Sequence, residues 1–336
     1  MKVINALKQK SEFAILLIII VLCIVITIVN PAFLRVDNIF NFLRSNSVYG
    51  IMAFGMLPVL ITGGIDLSVA STICLCAVLQ GYYLQASAPG YSVIVVFLIC
   101  IGAGAAVGVI NGLLITKLKI PPIVATLGTQ TITLASVLFI SKGKWMSDLS
   151  THYKAFGDFK IFNIPTETVP TGIYTQILLL IAVGIVTWFI LKNTLIGRGI
   201  YAVGGNLQSA QRVGYKVDRI LIFTYVFSGI MAGLSSIGSV SIMNSVDPNG
   251  FKGYEMTVIA IVVIGGASLS GGIGTVLGTS LGIILMAVIK NGLIMMHVSG
   301  YWQQAIMGGI ILFTIALDAI SQARERDRAI KVDVEE

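Results

Sequence analysis

Charged residues are scarce in this chain, and their scarcity excludes an ordinary soluble domain. Asp, Glu, Lys and Arg make up 11% of the 336 residues, whereas 56% are hydrophobic and the mean hydropathy is +0.93. A soluble domain usually carries about 25% charged residues to cover its surface. The composition therefore predicts a polytopic membrane protein.

Histidine and cysteine are too few and too scattered for metal or nucleophile chemistry. His152 and His297 have no third ligand nearby. The four cysteines all fall in apolar runs, which is typical of packing thiols: Cys23, Cys74, Cys76 and Cys100. We therefore expect no metal and no cofactor. The apolar runs also contain no Ser–His or paired-carboxylate constellation, which disfavours an intramembrane enzyme.

The chain also lacks a nucleotide-binding loop of the form G-x-x-x-x-G-K-[ST]. Its one Gly-Lys pair, Gly143-Lys144, is followed by Trp145. A single-chain ATP-driven pump is therefore excluded. The net charge of +7 is not accompanied by a basic patch interleaved with aromatics, so nucleic acid is not an expected partner.

Long apolar runs are what the chain has in abundance. A membrane-spanning helix needs about 20 mostly apolar residues, because every backbone polar group must be paired within the segment. About ten segments qualify: 13–29, 46–62, 66–86, 92–116, 122–140, 173–191, 220–242, 254–266, 274–295 and 302–320. We predict an all-α bundle in one transmembrane domain, residues 1–336, in contact with membrane lipid.

The distribution of Lys and Arg predicts the orientation of this bundle. With ten spans and an internal N-terminus, the inner loops and tails hold 14 basic residues and the outer loops hold seven. Both termini are then cytoplasmic, as are loop 192–219 and tail 321–336, whereas loop 141–172 is extracytoplasmic. The first span ends without a small-x-small cleavage site, so we interpret it as a retained helix.

Two glycine-containing strings interrupt apolar runs and are predicted to break helices. The string GGIDLS begins with Gly63 and Gly64, and GGASLS begins with Gly265 and Gly266. We expect all four glycines to serve in gating. The predicted topology puts both strings on the cytoplasmic side.

Asp66, in the first string, is a carboxylate in the membrane zone. An ionised carboxylate there costs free energy unless it caps a helix, pairs with another group or contacts water. Its position predicts an N-cap of a discontinuous helix, as in many transporter binding sites. Ser268, in the second string, can cap without a charge, which favours capping alone.

A polar solute crossing an apolar bundle needs hydrogen-bonding side chains along its route. Five residues within or beside the spans are candidates for the substrate pathway: Asp66, Ser68, Asn111, Gln130 and Asn291. Each of these side chains can instead satisfy a neighbouring helix.

The two long loops carry further signals. In loop 192–219, Asn206 as N-cap and Gly214 as stop predict a short helix. Such a helix is too short to be stable alone, so a cytoplasmic protein partner is inferred. Loop 141–172 alternates aromatic and charged residues, which indicates a short interfacial helix with a hairpin-like piece. It serves either as a solvated cap or as a docking surface for a soluble partner.

Three ordered motifs resemble the permease subunits of bacterial ABC sugar importers, the group that contains the ribose permeases. They are VLITGGIDLSVAS at 59–71, GRGIYAVGGN at 197–206 and VVIGGASLSGGIGTVLGTSLG at 262–282. Ala70 departs from the glycine that the family usually has there. The resemblance implies a type II importer bundle in the bacterial plasma (inner) membrane, with sugar as cargo and no enzymatic activity of its own.

The same resemblance implies partners and a coupling element. The partners are cytoplasmic ABC ATPase subunits, a second permease copy or sister permease, and an extracytoplasmic substrate-binding protein. The coupling helix, which seats in the ATPase, corresponds to residues 206–215. Its expected coupling residues are Gly197, Arg198, Gly204, Gly205, Asn206, Ala210 and Gly214.

An ion-coupled secondary transporter or channel is the alternative. Proton coupling normally uses acidic or histidine residues within spans. Only Asp66, Glu255 and Asp318 are available as acids, and Lys290 is the only cation there. This scarcity disfavours the alternative without removing it, since carbonyl oxygens can bind sodium.

Overall fold

The computed structural model describes residues 2–86, 92–147, 149–165 and 170–313, together with 316 and 320. Asp318 and tail 321–336 lie outside the described residues. Within the described ranges the helices are α1 (Lys2–Val29), α2 (Val36–Ile61), α3 (Val69–Ala86), α4 (Val93–Thr116), α5 (Pro122–Ser141), α6 (Thr151–Asp158), α7 (Thr175–Asn193), α8 (Leu195–Gly205), α9 (Leu207–Arg212), α10 (Val217–Met243), α11 (Tyr254–Ile264), α12 (Val276–Met295) and α13 (300–313). A 3-10 turn, Pro31–Leu34, joins α1 to α2.

The long helices account for the predicted spans. Six of the described helices are long and apolar enough to cross a membrane: α1 (from Glu12), α4, α5, α7, α10 and α12. The shorter apolar helices α3 and α11, with α2 and α13, occupy the four remaining predicted positions. An all-α bundle with about ten spans is confirmed.

The centre of the bundle is the crossing of α4 with α10. A Cβ atom on Gly229 would collide with the carbonyl oxygen of Gly104, and one on Gly104 with that of Gly229. A Cβ on Gly233 would likewise meet the carbonyl of Cys100. Small residues thus bring the two backbones into contact, which is how helices associate where no hydrophobic force drives them together.

Several predicted borders were wrong at their polar ends. The second span was predicted to start at 46, but α2 starts at Val36, because Arg35 precedes a helical turn that carries Asp37 on a polar, half-exposed face. The third was predicted from 66 and starts at Val69, because residues 67 and 68 form a turn. The helices of the first and seventh predicted spans, α1 and α10, also begin before their apolar runs, at Lys2 and Val217.

The bundle has two distinct ends. We call the end with residues 192–219 the near end and the end with residues 141–172 the far end. At the far end, α6 and an antiparallel pair of strands, β1 (Lys160–Ile164) and β2 (Thr171–Tyr174), confirm the predicted helix and hairpin.

The far-end segment is anchored in the bundle. Tyr153 of α6 is fully buried and donates to the side-chain oxygen of Gln80 on α3 at 2.9 Å. Arg44 of α2 donates to the carbonyl of Gly157 at 2.9 Å and pairs with Asp158 at 2.8 Å. The segment is therefore packed onto the helices.

Candidate functional site

The two predicted helix breaks meet at the near end. Helix α2 ends at Ile61, two residues before Gly63, and α11 ends at Ile264, directly before Gly265. We call the segment after α2 the first break and the segment after α11 the second break. The N–H of Gly272 donates to the carbonyl of Ile61 at 2.8 Å, so the second break contacts the first. Gly63 and Gly266 have φ angles of +76° and +87°, a conformation that side-chain-bearing residues rarely adopt. The breaks therefore depend on glycine and form one contiguous surface.

Helix α8 packs against this surface. Thr194 caps it by accepting from the N–H of Gly197 at 3.0 Å. A Cβ on Gly197 would collide with the carbonyl of Ile190, and one on Gly204 with that of Ile61. The hydroxyl of Tyr201 donates to the carbonyl of Gly274 at 2.8 Å. Burial raises the pKa of Tyr201, so its hydroxyl stays protonated and able to donate. One helix thus touches both breaks.

Helix α9 follows directly and projects from the bundle. Its predicted N-cap is confirmed: Asn206 accepts from the N–H of Ser209 at 2.8 Å. Gly214, with a φ of +92°, follows its end, as predicted. Ala210 is buried against the bundle, whereas Leu207 and Val213 are 45% and 79% exposed. One exposed apolar side chain on this helix of six residues, and a second at the residue directly after it, give the element a surface suited to a partner.

The remaining predicted coupling residues, Arg198 and Gly205, both lie in open surroundings. Arg198 is exposed. Gly205 has open space where a Cβ would project, unlike its neighbour Gly204.

Asp66 is held inside the bundle by neutral donors. Its carboxylate accepts from the N–H and hydroxyl of Ser68 at 3.0 and 2.6 Å, and from the hydroxyl of Ser228 on α10 at 2.7 Å. Asn111 on α4 donates to the Ser68 hydroxyl at 2.7 Å. These side chains are at most 2% exposed. They tie the first break to the α4–α10 crossing.

The predicted N-cap at Asp66 was wrong in detail. Because α3 begins at Val69, the residue that precedes it is Ser68, and Asp66 closes the turn before the helix. The ion pairs within the described part of the chain do not include Asp66. The hydroxyl of Tyr225 and the amide oxygen of Asn111 are buried nearby without a hydrogen-bond partner among the described residues.

The other pathway candidates lie apart from this cluster. Gln130 on α5 donates to Glu255 on α11 at 3.1 Å. Asn291 on α12 and Asn38 on α2 exchange two amide hydrogen bonds of 2.9 and 3.0 Å. The structure therefore brings together Asp66, Ser68 and Asn111 but neither Gln130 nor Asn291.

Comparison with known proteins decides what kind of chain this is. Residues 38–315 match the family model described as branched-chain amino acid transport system, permease component. The chain belongs to this permease family. The permease is accordingly a multi-pass transport subunit of the inner membrane.

Its relatives include import permeases for several solutes. It is 37% identical to the ribose import permease of Bacillus subtilis over 300 residues, 89% of each chain. It is 33% identical to the autoinducer 2 import system permease of Enterobacter sp. (strain 638) over 329 residues, 97% of this chain and 92% of the relative. It is also 33% identical to the galactose/methyl galactoside import permease of Salmonella typhimurium over 339 residues, 96% and 100% of the two chains. No solved structure matches significantly.

Sequence reasoning missed several parts of the permease's near end. Helix α8 was not predicted, because four of its 11 residues are glycine. Ser228 and Tyr225 were also missed, because a serine and a tyrosine within an apolar span look like packing residues until Asp66 is placed beside them. The only available signal for α8 was Thr194, a capping residue, before an apolar pair.

Proposed function

We propose that the permease is the membrane subunit of an ATP-driven importer for a sugar or sugar-like solute, and that α9 couples it to a separate ATPase. The observation that carries the proposal is the chain of contacts from exposed α9 through α8 to both helix breaks. The relatives named for ribose, autoinducer 2 and galactose support a sugar-like cargo.

The coupling route follows from backbone contacts. A force on α9 passes into α8, since a single residue, Asn206, separates the two helices. Gly204 and Tyr201 then transmit it to the carbonyls of Ile61 and Gly274, which lie beside the two breaks. Packed backbones are not continuously deformable, so such a displacement moves the helix ends as units. We infer that ATP-driven closure of the ATPase subunits moves α2 and α12 by this route.

The orientation and the remaining partners belong to the same proposal. The excess of Lys and Arg in the loops on the near-end side supports a cytoplasmic near end with both termini inside. The ATPase subunits then bind at α9, and a solute-binding protein delivers cargo at the far end. A second permease copy or a sister permease completes the pathway. Residues 1–336 act as a single permease domain.

The predicted pathway residues receive different roles in this proposal. The hydrogen bonds of Asp66, Ser68 and Asn111 fix the first break to α4 and α10. The pathway opens when these hydrogen bonds rearrange. The glycine pairs at 63–64 and 265–266 supply the hinges. The roles of Gln130 and Asn291 as cargo contacts stay predictions. In the structure each side chain is hydrogen-bonded to a side chain of another helix.

An ion-coupled carrier is the second candidate, and the Asp66 cluster favours it. This carboxylate has only neutral partners, and the unpartnered oxygens of Tyr225 and Asn111 lie beside it. Intramembrane acids of this kind often bind protons or cations. The two candidates differ in their energy source.

Reconstitution separates the two candidates. The permease is expressed with its neighbouring genes, purified through a tag on its own chain and placed in liposomes. The importer account predicts that an ATPase copurifies and that uptake requires internal ATP and an added binding protein. Uptake by the permease alone, driven by an ion gradient and abolished by an ionophore, would establish the carrier instead.

A further inference from the structure

We propose that a cleft at the far end of the permease is a subsite for a neutral monosaccharide. Two adjoining cavities of about 140 and 120 Å³ lie between the end of α10, α2 and loop 244–253. They share Ser239, Met243 and Phe251 as lining residues. The proposal rests on the proposed function, since it names where a sugar-importing permease first holds its cargo.

Aromatic rings form one wall of the cleft. The rings of Tyr49 and Tyr254 are stacked with 4.8 Å between centroids, and Phe251 meets Tyr254 edge to face at 5.2 Å. Lys290 lies 3.3 Å from the centroid of the Tyr49 ring and holds it in place. Such a wall offers a rigid apolar surface to the C–H groups of a sugar ring.

Ser239 supplies an unused hydrogen-bonding group at the base of the cleft. It is 2% exposed, and its hydroxyl has no hydrogen-bond partner among the described residues. The neighbouring hydroxyls on α10 are all engaged: Ser235 donates to Val48, Ser236 to Gly233 and Ser241 to Gly238. A hydroxyl that lines a cavity without a protein partner is available to a ligand or to water.

Asp247 adds an acceptor at the mouth. One carboxylate oxygen accepts from the N–H of Asn249 at 2.9 Å, which leaves further acceptor sites for ligand hydroxyls. The loop that carries it is fixed, because Val246 and Met146 exchange two backbone hydrogen bonds of 2.9 and 3.0 Å. Fixing the loop beforehand lowers the entropy cost of binding.

The lining selects the class of ligand. Asp247 is the one charged residue among the described residues that line the two cavities. The lining residues supply hydroxyl, carboxylate and aromatic groups, and these are the groups that a polyol needs.

A row of polar side chains on α10 runs from the cleft toward the near end. Ser236, which accepts from Gln80 at 3.1 Å, and Ser228 at Asp66 follow Ser239 toward the near end. The distance from residue 239 to residue 228 is about 16 Å along the helix axis at 1.5 Å per residue. This face of α10 therefore carries buried hydroxyl groups between the cleft and the Asp66 cluster.

Cysteine labelling tests the subsite on the assembled importer. Ser239→Cys changes the side chain little, and the described native cysteines are buried or half-buried, which keeps background labelling low. A small membrane-impermeant thiol reagent is applied from the far end with D-ribose, D-galactose or L-leucine. Lys154→Cys at an exposed position of α6 and Ser241→Cys, whose native hydroxyl is hydrogen-bonded, are the controls.

We expect Ser239→Cys to react and one of the two sugars to slow the reaction. A sugar at about nine times its dissociation constant slows labelling about ten-fold, because only the empty site reacts. The sugar should leave Lys154→Cys labelling unchanged, Ser241→Cys should react little, and L-leucine should protect neither. Unprotected labelling of Ser239→Cys in a complex that still imports the sugar would overturn the subsite and leave the importer function intact. Failure of that wild-type complex to import any sugar would count against the proposed function itself.

Discussion

Gly272 donates its backbone N–H to the carbonyl oxygen of Ile61 at 2.8 Å, and Gly204 of α8 packs against the same carbonyl. One peptide group thus links the end of α2, the second helix break and the helix before α9. Any side chain added at this point must separate the three elements.

Gly204→Ala should therefore uncouple the importer, whereas Gly205→Ala should not. A Cβ at 204 would collide with the Ile61 carbonyl, but the same atom at 205 meets open space. We expect uptake per ATP hydrolysed to fall strongly in Gly204→Ala and to stay near wild type in Gly205→Ala. The measurement is sugar uptake and phosphate release in the same liposomes. Equal uptake per ATP in the two variants would contradict the proposed coupling route.

Ser228→Ala should destabilise the permease through Asp66. The variant removes one of three hydrogen bonds to a buried carboxylate, and such a bond contributes about 1.5–3 kcal/mol. Thermal unfolding in detergent should show a clear drop in the midpoint. Ser136→Ala on α5, at a half-buried position where only a bond to the carbonyl of Ile132 is lost, serves as the control. If both variants unfold at the same temperature, the Asp66 cluster does not stabilise the first break.

Gly104→Ala should disturb the α4–α10 crossing, and Gly102→Ala should be tolerated. Both glycines lie on α4, but a Cβ at 104 would collide with the Gly229 carbonyl and one at 102 meets nothing within 4 Å. Overpacking costs about 1–3 kcal/mol. Lower yield of folded permease by size-exclusion chromatography is expected for Gly104→Ala alone.

The ion pair between Lys117 and Asp218 at the near end should matter little for stability. Its atoms lie 2.9 Å apart, but both side chains are more than half exposed. Exposed pairs contribute at most about 1 kcal/mol and are screened by salt. We expect Lys117→Ala to shift the unfolding midpoint far less than Ser228→Ala does. A larger shift would mean that the α4–α10 packing depends on this pair.

The membrane class, the helix breaks and the cap of α9 could all be predicted from the sequence, because each has a local signal. Apolar length predicts a span, paired glycines interrupt it, and Asn206 three residues before Ser209 has the spacing of a cap. These features depend on residues close together in the chain.

The rest depends on residues that are far apart in the chain. Helix α8 has a glycine-rich sequence that disfavours helix, and the structure holds it through Tyr201 at Gly274. Ser228 became a functional candidate only when α10 was placed beside Asp66, 162 positions away. The unpaired hydroxyl of Ser239 likewise has no signal in the sequence, since most serines in such helices bond the preceding turn.

The central claim is that α9 seats in a separate motor protein. The most direct measurement is cross-linking from Gln208→Cys, an exposed position on α9, in intact membranes. We predict an adduct between the permease and an ATPase chain, and none from Lys154→Cys at the far end. No adduct from Gln208→Cys, or labelling of that cysteine by an impermeant reagent applied from outside the cell, would contradict the account.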